Sequence, residues 1–489
     1  MGIKRYTANA DTTITNAYKA NLKTRGTGSN MGLADSLEVF HVFGQESSSS
    51  AENSRVLINF PVSDIVAARA AGSVPASGSV SWFLRVHNVA HPSTLPRNYN
   101  MTIQAVSSSW SEGTGMDMEE YSDVGYANWT SAASSSGGIT AWDTAGGDYH
   151  ASPTYTAAFP NGTEDIELDI STLVEEWIDG TKESYGVGIM MENESAFSSS
   201  YTKKFSARGS QYFFSRPTLE ARWDSAIKDD RGNFYYSSSL APAADNLNTL
   251  YLYNYSRGRL VDIPGISQGD SIYMNLYAGN ADNTSPSGSK IDMVNAGDVG
   301  MGLVQARGSW VSTGVYSSTF SVTSSAAPLT KLFDVWTNSG GTTEYHTGSI
   351  TPNSLNSSVQ NSVSQVVMNV TNLQDTYHRN ETARFRLYTR QKNWCPTIYT
   401  KAVSTPETYI VESGSFKVVR LIDDLEAIAF GTGSDMHTQM SFDSTGNYFD
   451  IDMSLLEAGY GYGLKFAFYD AGAGAWNEYP DVFKFRVEE

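Results

Sequence analysis

The strongest constraint on this chain is an alternation of apolar and polar residues that returns in segment after segment between clusters of Ser, Gly and Asn. Successive side chains of an extended strand point to opposite faces, so a period of two describes strands with one face against a core. In "SRVLINF" Val56, Ile58 and Phe60 share a face, and in "VSWFLRV" Val80, Trp82, Leu84 and Val86 do. "YGVGIMM" aligns Tyr185, Val187 and Ile189, and "PTLEARW" aligns Leu219, Ala221 and Trp223. Aromatics make up 12% of the residues, with Tyr outnumbering Phe and Trp, a mix that suits half-buried strands. The chain reads as all-β.

At 489 residues it exceeds what one core serves, given ~100–200 residues per domain. The polar stretches "DSAIKDDRGN" and "TPNSLNSSVQNS" break the alternation and place domains at 1–223, 224–350 and 351–489. The first reads as a jelly-roll-like sandwich. The second draws on "TLYLYNY", "SIYMNLYAG" and "PLTKLFDVWTN"; the third draws on "FKVVRLI", "LEAIAF", "YFDIDM", "GLKFAFYD" and "DVFKFRVEE". Their short strands and Gly-rich turns suggest two smaller immunoglobulin-like sandwiches. The short coil repeat of a β-helix is not seen.

One segment departs from the strand pattern. In "LDISTLVEEWIDG" Leu173, Val174, Trp177 and Ile178 fall on one helical stripe, with Glu175, Glu176 and Asp179 facing water. Asp169, Ser171 or Thr172 can cap its start, Thr172 and Glu175 have capping-box spacing, and Gly180 suits its end. This predicts a single short amphipathic helix lidding one end of a sandwich, where burial of Trp177 contributes ~2–3 kcal/mol.

A net charge of -19 argues against a nucleic-acid partner, because neutralising phosphates takes clustered Lys and Arg. The sole cysteine, Cys395, forms no intrachain disulfide, and the N-terminus shows no apolar signal stretch, so synthesis in the cytoplasm without Sec export is expected. No run approaches the ~18 apolar residues of a membrane span, so no membrane insertion is expected.

Motifs with catalytic or ligand chemistry are weak. "GISQG" matches a nucleophile elbow around Ser267, but Pro264 precedes it and a strand pattern follows, so Ser267 is expected in a turn. "GTGSNMG" lacks a dinucleotide fingerprint because Met31 stands where glycine is needed. His87 and His91 in "HNVAH" have metal-pair spacing on a helix but follow a strand. Asp117, Glu119, Glu120 and Asp123 offer oxygen ligands for calcium without EF-hand spacing, and a solvated acidic loop is the first expectation. No cofactor, metal site or catalytic residue is assigned. Loop aromatics remain as ligand-binding candidates: Trp129, Trp142 and Tyr149 lie in a Gly/Ser-rich region where flat rings could stack on sugars, and the competing expectation for each is core packing.

The order of segments carries a resemblance. "ADTTITNAYKANLKTRGTGSNMG", "SRVLINFPV", "VSSSWSEGTG" with Trp110 and Glu112, "ANWTSA", the helix ending in Trp-x-x-Gly, "KKFSARGS" and "RPTLEARW" together resemble the DNRLRE family of β-sandwich modules over roughly residues 1–223. The resemblance implies adhesion or surface placement, and some members of that family are classed as carbohydrate-binding. The stretch "TSAASSSGGITAWDTAGGDYHASPTY" departs from its usual pattern. The whole chain also resembles structural proteins of marine tailed bacteriophages, notably in "ITNAYKANLKTRGTGSNMG" and "GYGLKFAFYDAGAGAWNEYPDVFKFRVEE". The expectation is therefore a non-enzymatic virion protein whose partners are copies of itself and other virion proteins. The rivals are an adhesin contacting host surface glycans and a polysaccharide-degrading enzyme.

Overall fold

A computed structural model describes residues 1–42, 50–90, 96–116, 125–135, 138–192, 194, 201–238, 242–280, 284–286, 288–295, 305–322, 329–353, 366–392 and 408–489. Cys395, His91 and the candidate calcium ligands Asp117, Glu119, Glu120 and Asp123 lie outside these residues. The protein is all-β, and the chain divides into two compact units: Gly2–Asp224 with Asp435–His437, and Met1 with Ser225–Ser434 and Thr438–Glu489. No helix among the described residues is long and apolar enough to cross a membrane.

In the N-terminal unit a four-stranded antiparallel sheet runs in the order Ile3–Thr7, Thr218–Arg222, Ser81–Val86, Ile166–Asp169. The opposing sheet runs Tyr201–Ser206, Ser36–Val42, Glu52–Asn59, Val187–Met191, Tyr99–Val106, Tyr149–Phe159, with Ala10–Thr15 also paired to Glu52–Asn59. Trp82, Leu84 and Leu219 from the first sheet meet Val56, Ile58, Ile103 and Val187 from the second, all at 0% exposure. Alternation puts these residues there, and each large side chain so buried stabilises the sandwich by ~1.5–3 kcal/mol.

The expected helix forms at Ser171–Asp179 and ends at Gly180, whose φ of 79° is a left-handed cap that glycine adopts without strain. Asp169 accepts from the Ser171 N–H at 2.9 Å, so the carboxylate before the helix holds its first turn. Two expectations are corrected here. Glu175 does not face water: it accepts from the two terminal guanidinium nitrogens of Arg69, at 2.5 and 2.7 Å, and from the Trp82 indole at 2.9 Å. Its partner Arg69 belongs to a second α-helix, Val62–Ala70, which begins directly after Pro61. The sandwich thus carries two helices clasped by an ion pair, where one was expected.

The C-terminal unit contains an eight-stranded antiparallel sheet whose main path is Asn248–Tyr253, Val315–Ser321, Ala306–Ser312, Ser271–Gly279, Lys331–Thr337, Glu344–Ile350. Strands from Val366 onward form two further sheets: Val366–Val370, Thr382–Gln391, Gly446–Asp452 and Ser441–Asp443 in one, and six strands including Gly414–Arg420, Gly461–Asp470 and Phe483–Glu488 in the other. These two face each other through aromatic rings: Phe449 stacks on Phe416 of the opposite sheet at 4.2 Å between centroids and on Phe385 at 5.3 Å. Phe485 and Val487 of the last strand are buried while Lys484 and Arg486 are exposed, as the alternation requires.

Candidate functional site

The structure places the three loop aromatics inside a small second core. Trp129, Trp142, Ala127 and Ala132 pack on Ile14, Leu57 and Val106, which lie on the face of the seven-stranded sheet turned away from the main core. Trp129 and Trp142 are 8% and 5% exposed, and Tyr149 is half-buried against the same cluster. The Trp142 indole donates to the Asn128 carbonyl at 2.8 Å and the Tyr149 hydroxyl donates to the Gly146 carbonyl at 2.9 Å. Arg55, on the central strand beneath, sits 5.2 Å from the Trp129 ring and 5.6 Å from the Tyr149 ring while donating twice to Glu194, at 2.9 and 2.6 Å, and once to the Gly146 carbonyl at 2.8 Å. Burial pushes the Tyr149 hydroxyl up to about 12, against the pull of Arg55. The three rings are brought together in one cluster, two of them over a guanidinium that staples the loop down, and they are used in packing.

The segments "GTGSNMG", "WSEGTG" and "ARGS" meet in a second polar cluster. Asn30, fully buried, donates to the carbonyls of Glu112 and Ala127 at 2.6 and 2.7 Å and accepts from the N–H groups of Gly32 and Gly115 at 3.0 Å each. Glu112 accepts from the Asp11 N–H at 2.8 Å and forms a two-pronged pair with Arg208, one prong of 2.5 Å from Nε and the other from the second nitrogen. Asp11 accepts from the Arg208 N–H at 2.6 Å, and its carboxyl is pushed up to about 7, first by burial, with the Arg208 N–H opposing and Glu112 adding to the rise. Gly113 is forced by this packing: at φ 90° a Cβ would stand 2.4 Å from the Asn30 side chain.

Ser267 stands in a turn, where its N–H and hydroxyl both donate to Asp270 at 2.9 and 3.0 Å ahead of the strand Ser271–Gly279. His87 contacts Asp165 at 3.0 Å. Among the described residues no group of three or more His, Cys, Asp or Glu is arranged to hold a metal ion.

The feature that sequence reasoning missed is a cleft of about 310 Å³ in the C-terminal unit, at the small end of the ~300–1,000 Å³ typical of ligand sites. Asp230, Lys228, Asp245, Glu412, Tyr235 and Tyr236 supply its chemistry, over a floor that includes Phe442. Its walls are fixed from behind. Arg231, next to Asp230 in the 3-10 turn Asp230–Gly232, donates to the fully buried Asp334 at 2.5 and 2.7 Å. Asn248 bonds both the N–H and the carbonyl of Tyr235, at 3.1 and 3.0 Å, and Asn246 does the same for Ser238, at 2.8 and 3.0 Å. Across the opening, the Asn233 amide donates to Glu412 at 2.7 Å. Asp230 accepts from the Thr249 N–H at 2.7 Å, yet its carboxyl is pushed up to about 7, chiefly by burial and further by Asp229 and Glu412, with Lys228 opposing. The charged run "DSAIKDDRGN" was the only sign of this in the sequence, and it reads equally as a linker.

No family model matches the chain, and no curated protein does. Among solved structures, trypsin-activated alpha-2-macroglobulin from Escherichia coli aligns over 89% of this chain and 24% of its own, with 8% identity and a TM-score of 0.16. The chain spans about a quarter of that protein's length, and a likeness of this size carries no argument about fold or function.

Proposed function

We propose that the chain is a non-enzymatic structural protein of a tailed-bacteriophage virion, serving subunit assembly or attachment at the particle surface or tail. The observation that carries this reading is the use made of the reactive side chains in the N-terminal unit. Glu112 is bound to Arg208, Arg55 to Glu194, and Glu220, 1% exposed, to Arg5, Arg85 and Arg222 at 2.5, 3.0 and 2.6 Å. Charges committed to one another within a sandwich fix its geometry, which is what a repeating building block requires. Of the segments that carry the resemblance to DNRLRE modules, "SRVLINFPV", "VSSSWSEGTG", "KKFSARGS" and "RPTLEARW" supply Arg55, Glu112, Arg208, Glu220 and Arg222 to these pairs.

Assembly also needs an outward surface. The strand Tyr149–Phe159 ends the seven-stranded sheet, and among the described residues no strand pairs with its far side. Its sequence, "YHASPTYTAAF", contains no Lys, Arg, Asp or Glu, the charges that commonly blunt such an edge. Pro153 removes one N–H from this edge, so a neighbouring subunit's strand can pair along the stretch after it, "TYTAAF". Mass spectrometry of tailed particles purified from the host in which the chain is made tests the proposal: the chain is expected among the structural proteins at a fixed stoichiometry, and its absence from intact particles rules the reading out.

A further inference from the structure

The cleft in the C-terminal unit is used by none of the packing described above, and its lining has a definite chemical bias. Its polar groups mix donors and acceptors. Glu412 has one oxygen engaged by Asn233, Asp230 has one engaged by Thr249, and Asp245 is exposed on the 3-10 turn Ala243–Asn246. Lys228 contributes N–H donors, and Tyr235 and Tyr236 contribute ring surface. Near neutral pH the raised carboxyl of Asp230 adds an O–H donor beside these acceptors. Acidic side chains outnumber the one lysine on the lining, so phosphate, sulfate or a carboxylated sugar is repelled. An apolar ligand would cover Asp245 and the second carboxyl oxygens of Asp230 and Glu412 without returning the hydrogen bonds that water gives them. A neutral polyol ring satisfies both constraints: each hydroxyl donates and accepts at once, and its C–H face lies on a tyrosine ring.

We propose that the cleft lined by Asp230, Asp245, Glu412, Lys228 and Tyr235 binds a single neutral sugar residue of a glycan. The proposal deepens the attachment reading and rests on it only for the source of the glycan. The hydrogen bonds of Asn248, Asn246 and Arg231 hold the walls before the ligand arrives, so binding orders little of the protein. For a ligand of this size, affinity on the order of 1 mM is expected.

The test uses the purified full-length chain and calorimetric and saturation-transfer NMR titrations. Methyl glucoside, methyl galactoside, methyl mannoside and N-acetylglucosamine are the neutral probes, with glucuronic acid as the anionic one. At least one neutral probe is expected to saturate, with affinity lowered roughly tenfold or more in Asp245→Ala and in Glu412→Gln, and no competition from glucuronic acid. Asp245 is exposed, so its variant keeps the test valid if the other fails to fold. Failure of every neutral probe to saturate overturns the proposal, as does binding unchanged in Asp245→Ala or glucuronic acid binding as tightly. Particle mass spectrometry reads the virion role separately, so either idea can fail alone.

Discussion

Removing the side chain of Asn30 should cost the N-terminal unit more than almost any other single change of similar size. The amide is fully buried and holds the loops at 26–32 and 110–115 together through the carbonyls of Glu112 and Ala127 and the N–H groups of Gly32 and Gly115. In Asn30→Ala these four backbone groups lose a partner, and a buried polar group left unpaired costs ~1–3 kcal/mol. The space vacated by the amide admits a water that restores part of this, so a net loss of ~3–5 kcal/mol is expected. Domains are typically stable by only ~5–15 kcal/mol, so the change should be conspicuous. Urea unfolding of the full chain, followed by tryptophan fluorescence, should show the transition of the N-terminal unit moving to lower denaturant while that of the C-terminal unit stays in place. Asn30→Asp, whose second oxygen would face the carbonyls of Glu112 and Ala127 and bury a negative charge, should cost at least as much. A loss below ~1 kcal/mol for Asn30→Ala would show that the loops are held by something else, and the cluster's structural role would be refuted.

Trp142→Ala should destabilise the N-terminal unit by ~3–5 kcal/mol, seen as a lowered Tm, because the indole fills a core; an unchanged Tm would return the ring to the ligand-stacking role that the sequence offered beside core packing. Burial works against ionisation of Glu220, but Arg5, Arg85 and Arg222 outweigh it and hold the carboxyl far below the usual range. The stabilisation is therefore complete above the unfolded value of ~4.3 and is lost as pH falls below it, so Glu220→Gln should flatten the acid limb of the stability profile and equal slopes would contradict this. Asp11 behaves oppositely: the folded state keeps its proton up to about 7 while the unfolded chain releases it near ~3.9. The folded state binds the extra proton across that window, so stability falls as pH rises through it, and Asp11→Asn should reduce the slope of the N-terminal unit's own transition in denaturation measured from pH ~4 to ~8; an unchanged slope would refute the assignment.

Much of the fold was legible in local pattern. Val56, Ile58 and Phe60 alternate into the main core as their spacing requires, and the stripe of Leu173, Val174 and Trp177 is buried on the helix that was expected. Leu57 shows where pattern ends: its position reads as outward, yet it is fully buried because the segment bearing Trp129 and Trp142 folds back over that face. Composition marked this segment as a Gly/Ser-rich region whose rings could serve a ligand or a core, and the tertiary path makes it a core. The helix Val62–Ala70 was overlooked because the strand before it runs straight into Pro61, although Pro followed by an Ala-rich run is itself a helix-start signal. Glu175 was assigned to solvent because the position of Arg69 could not be known without that helix. The cleft was illegible for the same reason: Asp230 and Glu412 are remote in sequence, and their proximity follows from how the strands around them pair.

A density map of the assembled particle tests the central claim most directly. The account predicts repeated β-rich density into which the two compact units fit as copies related by the symmetry of the particle surface, neck, tail or baseplate. A map in which every such feature is filled by other chains, leaving no density for these sandwiches, would contradict it.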